Sequence, residues 1–159
     1  MKTKKTNLSI VRAYVDTSVF GGVLDAEFSR ASGRFLDMAR AGGFAVVISP
    51  VVTDELRAAP PQVRGACDDV LASALSVAIS EAALELRDAY VKAGIVSARW
   101  SADALHVALA SVAGCSIIVS WNFKHIVNFR KVPLYNAINR TQGYAEIGIY
   151  TPQEVVEDE

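Results

Sequence analysis

Apolar and polar residues fall along this chain in two alternating rhythms, short continuous apolar runs and longer stretches with helical spacing. Val11 to Val15 reads as a first strand, and Gly21-Gly22 then lets the backbone turn sharply or lie close to a ligand. Phe28, Ala31, Phe35, Met38 and Ala39 predict a helix from Phe28 to about Ala41, stopped by Gly42-Gly43. Phe44 to Ile48 is a run of strand length that reads as buried on both faces. Ser49-Pro50 supplies a cap and a first helical residue for a helix carrying Glu55, and Ala58-Ala59-Pro60-Pro61 ends it. Gln62 to Leu75 predicts a helix, Ser76 to Ile79 a short strand, and Glu81 to Lys92 a helix capped by Ser80 and closed by Gly94.

Arg99 to Ala113 is the most apolar helix, and a helix with so little polar face belongs in an interior. Asp103 lies in its first turn, after a candidate Ser101 cap, where the helix end favours an anion. Ser116 to Ser120 reads as the next strand, with Trp121-Asn122 at its end. Phe123 to Asn128 reads as a short helix, Ile138 to Gln142 as a loop and Ala145 to Tyr150 as a last strand. Thr151-Pro152-Gln153-Glu154 is a capping box opening a short final helix before an acidic end, Glu157-Asp158-Glu159. Strands and helices in this order imply an α/β domain, three layers with a mainly parallel central sheet.

Composition narrows the picture. At 159 residues, the chain is most simply one domain with its own core, and 52% hydrophobic residues exclude a disordered chain. Sixteen basic and seventeen acidic residues leave a net charge of −1, so any attraction for a polyanion must be local. Cys67 and Cys115 have no metal-ligand spacing around them and read as reduced, buried thiols of a cytoplasmic protein. The opening Met1-Lys2-Thr3-Lys4-Lys5 lacks the apolar core of a leader and reads, with the residues to 9, as a frayed basic tail. No window has the roughly 18 uninterrupted apolar residues of a membrane span.

Candidate chemistry then falls at one predicted edge. In a parallel α/β sheet, ligands sit outside the carboxyl ends of the strands. Asp16 ends the first strand, Glu55 lies in the helix after the second, Asp103 opens the apolar helix and Asn122 follows a later strand. Each has an ordinary alternative: Asp16, Thr17 or Ser18 as a helix cap, Glu55 as solvated surface, Asp103 as a helix-end charge, Asn122 as a turn cap. Gathered at one pocket, carboxylates repel by roughly 4 kcal/mol per pair at about 4 Å and an effective dielectric near 20, and a divalent cation removes that cost. Oxygen ligands suit Mg2+ or Mn2+, and His106 and His125 show no zinc spacing. Between Asp103 and Glu146 there is no acidic residue, while Lys124, Arg130, Lys131 and Arg140 lie there with Trp121, Phe123, Phe129, Tyr135 and Tyr144 interleaved. Cations and rings so mixed suit phosphates and unpaired bases, although most such rings serve a core.

These stretches resemble the PIN-domain ribonucleases, in particular the VapC-like toxins of type II toxin-antitoxin systems. Tyr14-Val15-Asp16-Thr17-Ser18-Val19-Phe20 resembles the family's opening strand, and Val52-Thr53-Asp54-Glu55-Leu56 its second acidic helix. Ser101-Ala102-Asp103-Ala104-Leu105-His106-Val107-Ala108-Leu109-Ala110 resembles its alanine-rich helix opened by an aspartate. Val119-Ser120-Trp121-Asn122-Phe123-Lys124-His125-Ile126 resembles the last motif. The resemblance implies a metal-dependent endoribonuclease in which Asp16, Glu55 and Asp103 hold Mg2+ or Mn2+ and Asn122, where the family often has aspartate, orients a water or phosphate. It also implies a homodimer silenced by an antitoxin protein. Thr17, Ser18, Lys124, His125 and Arg130 are further candidates for contact with RNA. The alternative is a catalytically inactive module of this fold that binds RNA or a protein partner. A phosphatase of the haloacid dehalogenase type would need a second aspartate where Ser18 stands.

Overall fold

The computed structural model describes residues 10–156. The basic tail and the acidic end expected from the sequence lie outside these residues.

The first half follows the apolar pattern closely. Strand β1 is Val11–Val15, followed by the short helix α1 at Thr17–Gly21, a 3-10 turn at Gly22–Leu24 and helix α2 at Ser29–Arg40. Strand β2 is Phe44–Ile48, α3 is Pro50–Arg57, α4 is Pro61–Ser73, β3 is Leu75–Ser76 and α5 is Glu81–Lys92. Ser80 caps α5, its hydroxyl accepting the Ala83 N–H at 3.1 Å. A 3-10 turn at Ala98–Trp100 leads into α6 at Ser101–Val112, and β4 is Ile117–Val119. Then come α7 at Val132–Thr141, β5 at Gly148–Tyr150 and α8 at Pro152–Val156.

All five strands are parallel, in the order β3-β2-β1-β4-β5. The chain winds outward from β1 to β3, then crosses back to β4 on the far side of β1. Helix α2 packs with α4 and α8, and α5 with α6 and α7, so the sheet lies between two helical layers as the element order implies. The carboxyl ends of β1 and β4 flank the point where the winding reverses, the place at which such sheets bind ligands.

The core holds Tyr14, Tyr90 and Tyr135 with Phe20, Phe35, Leu36, Leu56, Leu86, Leu109, Ile118 and Ile126, all fully buried. The residues Ala104 to Ser111 of α6 are buried without a break. The small side chains alternating along it let the helix lie within the fold and approach its neighbours closely. Cys67 and Cys115 are buried free thiols, as expected.

Four local expectations are corrected. Residues 123–128 form turns rather than a helix, because Asn122 closes them: its carbonyl accepts from Ile126 and Val127, and its side-chain oxygen accepts the His125 N–H at 2.9 Å. The expected loop at Ile138 to Gln142 is mostly helix α7, whose buried face is Tyr135, Asn136 and Asn139. Two asparagines on the inward face conceal its amphipathic period. They are buried because they are fully used: Asn136 exchanges two hydrogen bonds with the Ile147 backbone, and Asn139 bonds Tyr90, Ser111 and the Ala145 carbonyl. Ser101 does not cap α6, which begins after Trp100 with no side-chain cap. The strand expected at Ser76 to Ile79 is only Leu75–Ser76, at the sheet edge.

At the chain's end the capping box forms as read: Glu154 Oε1 accepts the Thr151 N–H at 2.9 Å while Thr151 Oγ1 accepts the Glu154 N–H at 3.1 Å.

Candidate metal centre

Strand β1 delivers Asp16 to the switch point. Its N–H donates to the Val119 carbonyl at 3.0 Å, continuing the ladder, so the side chain emerges where β1 and β4 part. Asp16 is only 4% exposed. Its Oδ2 accepts from Ser18 Oγ at 2.6 Å and from Ser120 Oγ at 2.8 Å, which leaves Oδ1 facing His106 Nε2 at 3.4 Å. Asp16 is not a side-chain cap of α1, and neither Thr17 nor Ser18 supplies one. Both hydroxyls serve the carboxylates instead. Ser18 Oγ also accepts the Trp121 N–H at 2.8 Å, tying the end of β1 to the end of β4.

Helix α3 presents Glu55, whose Oε1 accepts from Thr17 Oγ1 at 2.5 Å and meets His106 Nε2 at 3.0 Å. Half-burial would raise this carboxyl's pKa, but the hydrogen bonds from His106 and Thr17 and the charge of His106 outweigh it and hold the pKa below the ordinary value. One acidic oxygen each from Asp16 and Glu55 and one His106 nitrogen lie within 4.8 Å of one another.

Asp103 stands beside this group rather than inside it. Burial raises its pKa, opposed by a hydrogen bond from the Asn122 side chain and by the His125 and His106 rings, while the charge of Asp16 adds to the rise. Asn122 therefore has two effects, its oxygen closing the 122–127 turn and its side chain opposing the rise of the Asp103 pKa.

The sequence shows His106 as lacking zinc spacing and as one of the basic residues of the interval between Asp103 and Glu146, not as a member of the acidic centre. The fold brings it into the centre. The ring is 1% exposed, Nδ1 lies 2.8 Å from the Tyr14 hydroxyl, and that hydroxyl lies 2.8 Å from Ser49 Oγ. Burial alone would depress the imidazole pKa, yet the charges of Asp16, Glu55 and Asp103 and the bond to Glu55 raise it. The available signal was its place three residues after Asp103, which puts both on one helix face.

Of the other candidates, His125 is buried with neither ring nitrogen hydrogen-bonded among the described residues, and its ring stacks on Trp100 at 4.7 Å and 26°. Burial depresses its pKa, and Lys131 and Lys124 push the same way against Asp103. The Lys124 Nζ lies 5.9 Å from the Trp100 ring centre and the Arg99 guanidinium 5.0 Å from it. Arg130 is elsewhere, lining an apolar cavity of about 780 Å³ with Phe123, Val127, Phe129 and Pro133. Gly22 is not a sharp turn; its φ is −62°. What it permits is close approach, since a Cβ there would lie 2.6 Å from Ser32 Oγ and 2.9 Å from Trp121 Nε1.

No family model matches the chain, and no curated protein matches it by sequence. Solved structures do. VapBC2 from Rickettsia felis, determined bound to a DNA fragment from its promoter, matches with a TM-score of 0.55 at 14% identity, over 88% of this chain and 98% of that one. The fold is the PIN fold of the VapC toxins. VapC20 of Mycobacterium tuberculosis, a toxin that cleaves the sarcin-ricin loop, matches with a TM-score of 0.50 at 15% identity, over 86% of this chain and 98% of that one. The VapC-like fold thus spans nearly all of the described residues. No described helix is long and apolar enough to cross a membrane.

The donor chemistry fits a divalent cation. Asp16 Oδ1, Glu55 Oε1 and His106 Nε2 face one another, while the outer atoms of each residue are committed to other partners or to solvent.

Proposed function

We propose that this chain is a divalent-metal-dependent endoribonuclease of the VapC-like PIN class, acting as the toxin of a toxin-antitoxin pair. The observation that carries the proposal is the convergence of Asp16, Glu55 and His106, with Asp103 alongside, at the switch point of a fold shared with ribonuclease toxins. Mg2+ or Mn2+ held by Asp16 and Glu55, and by Asp103 directly or through water, would offset charge developing on a phosphodiester under attack. The chain's own residues supply the rest. Ser18 and Ser120 hold Asp16 in one orientation, and Thr17 does the same for Glu55.

An RNA strand has a surface to follow next to these carboxylates. Trp100 is 37% exposed, backed by the His125 ring and flanked by Arg99 and Lys124, and it precedes Asp103 by one helical turn. An exposed ring with cations at its rim suits an unpaired base and its phosphate. Phe129, 93% exposed beside the apolar cavity, gives an antitoxin or a second copy of the chain a place to bury apolar surface in the cytoplasm.

The test is cleavage of RNA by purified, partner-free protein with Mn2+ or with chelator. Cleavage should require the metal and fall at least about a hundredfold in Asp16→Asn and in Asp103→Asn. Cleavage that survives both substitutions, or none in the wild type, refutes the assignment.

A further inference from the structure

We propose that His106 is itself a metal ligand through Nε2, and that this nitrogen makes the centre select Mn2+ over Mg2+. The inference rests on the reading of the centre as a divalent-cation site and adds a ligand that the sequence assigned to carboxylates alone.

Three observations converge on Nε2. It lies 3.0 Å from Glu55 Oε1 and 3.4 Å from Asp16 Oδ1, in the group whose ligand atoms are all within 4.8 Å. The second oxygen of Asp16 is already taken by two serine hydroxyls, so the atom left over is the one that faces His106. The imidazole is also supported from behind, as ligand histidines are, by the Tyr14 hydroxyl on Nδ1 and by Ser49 behind Tyr14.

That support accommodates the tautomer that ligation requires, with Nε2 free of a proton and Nδ1 carrying one. The Tyr14 hydroxyl then accepts from Nδ1–H and donates to Ser49 Oγ. A hydroxyl can act in either direction, and burial keeps Tyr14 protonated throughout.

An imidazole nitrogen changes the preference of the centre. Mg2+ takes oxygen ligands and dehydrates reluctantly, whereas first-row transition ions accept imidazole readily. With two carboxylates and one imidazole facing inward, Mn2+ should bind at least about tenfold more tightly than Mg2+, a margin of about 1.4 kcal/mol.

The experiment uses the full chain without RNA. Mn2+ is titrated and followed by electron paramagnetic resonance, its competition by Mg2+ is measured, and the bound ion is examined for hyperfine coupling to a ligand nitrogen. Nitrogen coupling in the wild type, with a Mn2+ to Mg2+ preference of about tenfold that collapses in His106→Gln, is the expected result. The coupling measurement requires no variant, so it decides the matter even where His106→Gln does not fold. Bound Mn2+ without nitrogen coupling overturns the ligand role while leaving the metal centre standing. No bound Mn2+ at millimolar concentration overturns both. Nitrogen-coupled Mn2+ in a protein that cleaves no RNA would leave this inference standing and remove the ribonuclease reading.

Discussion

Tyr14→Phe isolates the support of the imidazole from its charge. The phenol bridges Ser49 Oγ and His106 Nδ1 at 2.8 Å each, and all three residues are at most 1% exposed. Phenylalanine keeps the ring and opens almost no cavity, so the change removes one oxygen and two hydrogen bonds. No other hydrogen bond holds Ser49 Oγ or His106 Nδ1 among the described residues, so both become unsatisfied buried groups. At about 1–3 kcal/mol for each such group, with some relief as the serine hydroxyl rotates, the expected loss is about 2–4 kcal/mol. Urea unfolding in chelator should show it as a lower midpoint with an unchanged slope. Thermal unfolding should fall by about 5–15 °C for a chain of this length. Ser49→Ala, which leaves Tyr14 bonded to His106, should cost only about 0.5–1.5 kcal/mol. The double variant should cost less than the sum, because the stranded serine hydroxyl has gone with its partner. A loss below about 0.5 kcal/mol in Tyr14→Phe would refute the argument that the phenol holds the ring.

Trp100→Ala should weaken single-stranded RNA binding by about five- to a hundredfold in an Asp16→Asn background, and Trp100→Phe should recover most of it, both read by fluorescence anisotropy at a temperature where each variant is folded. Burial pushes the Cys67 and Cys115 thiols up to about 11, so aromatic disulfide reagent at pH 8 should label neither until the protein is unfolded. Because the native state holds those protons longer than the unfolded chain, stability is fully present below the ordinary thiol pKa and is lost as pH rises towards 11, by about 1–3 kcal/mol per thiol in chemical unfolding at each pH. Gly22→Ala should cost about 1–3 kcal/mol in urea unfolding, since its Cβ meets the hydrogen-bonded Ser32 and Trp121. Gly148→Ala should cost less than Gly22→Ala, about 1 kcal/mol, because its nearest obstacle is the exposed Tyr150 ring, which can swing away and leave only Ile117 Cγ2 at 3.2 Å.

The regular elements were legible where burial is apolar. Strands β1 and β2 and helices α2, α5 and α6 fall close to their hydrophobic spacing, since a side chain's preference for the core is written in its own chemistry. Helix α7 was illegible for the complementary reason. Asn136 and Asn139 are buried through bonds to Ile147, Ser111, Tyr90 and Ala145, and nothing local to 132–141 announces those partners. The turn after Asn122 is half legible: an asparagine there reads as a turn cap, and its side-chain oxygen does accept the His125 N–H, but no helix follows it.

The sequence by itself determined the α/β architecture, the buried character of α6 and the acidic candidates Asp16, Glu55 and Asp103, because strand-end position and helical period survive without coordinates. Only the tertiary structure decided which of them share a centre. Parallel pairing of β1 with β4 and the placing of α3 and α6 bring Asp16, Glu55 and His106 together while Asp103 stands beside them. A histidine 51 residues from Glu55 carries no mark of that meeting. Proximity between distant residues is set by how the layers pack, and spacing along the chain cannot encode it.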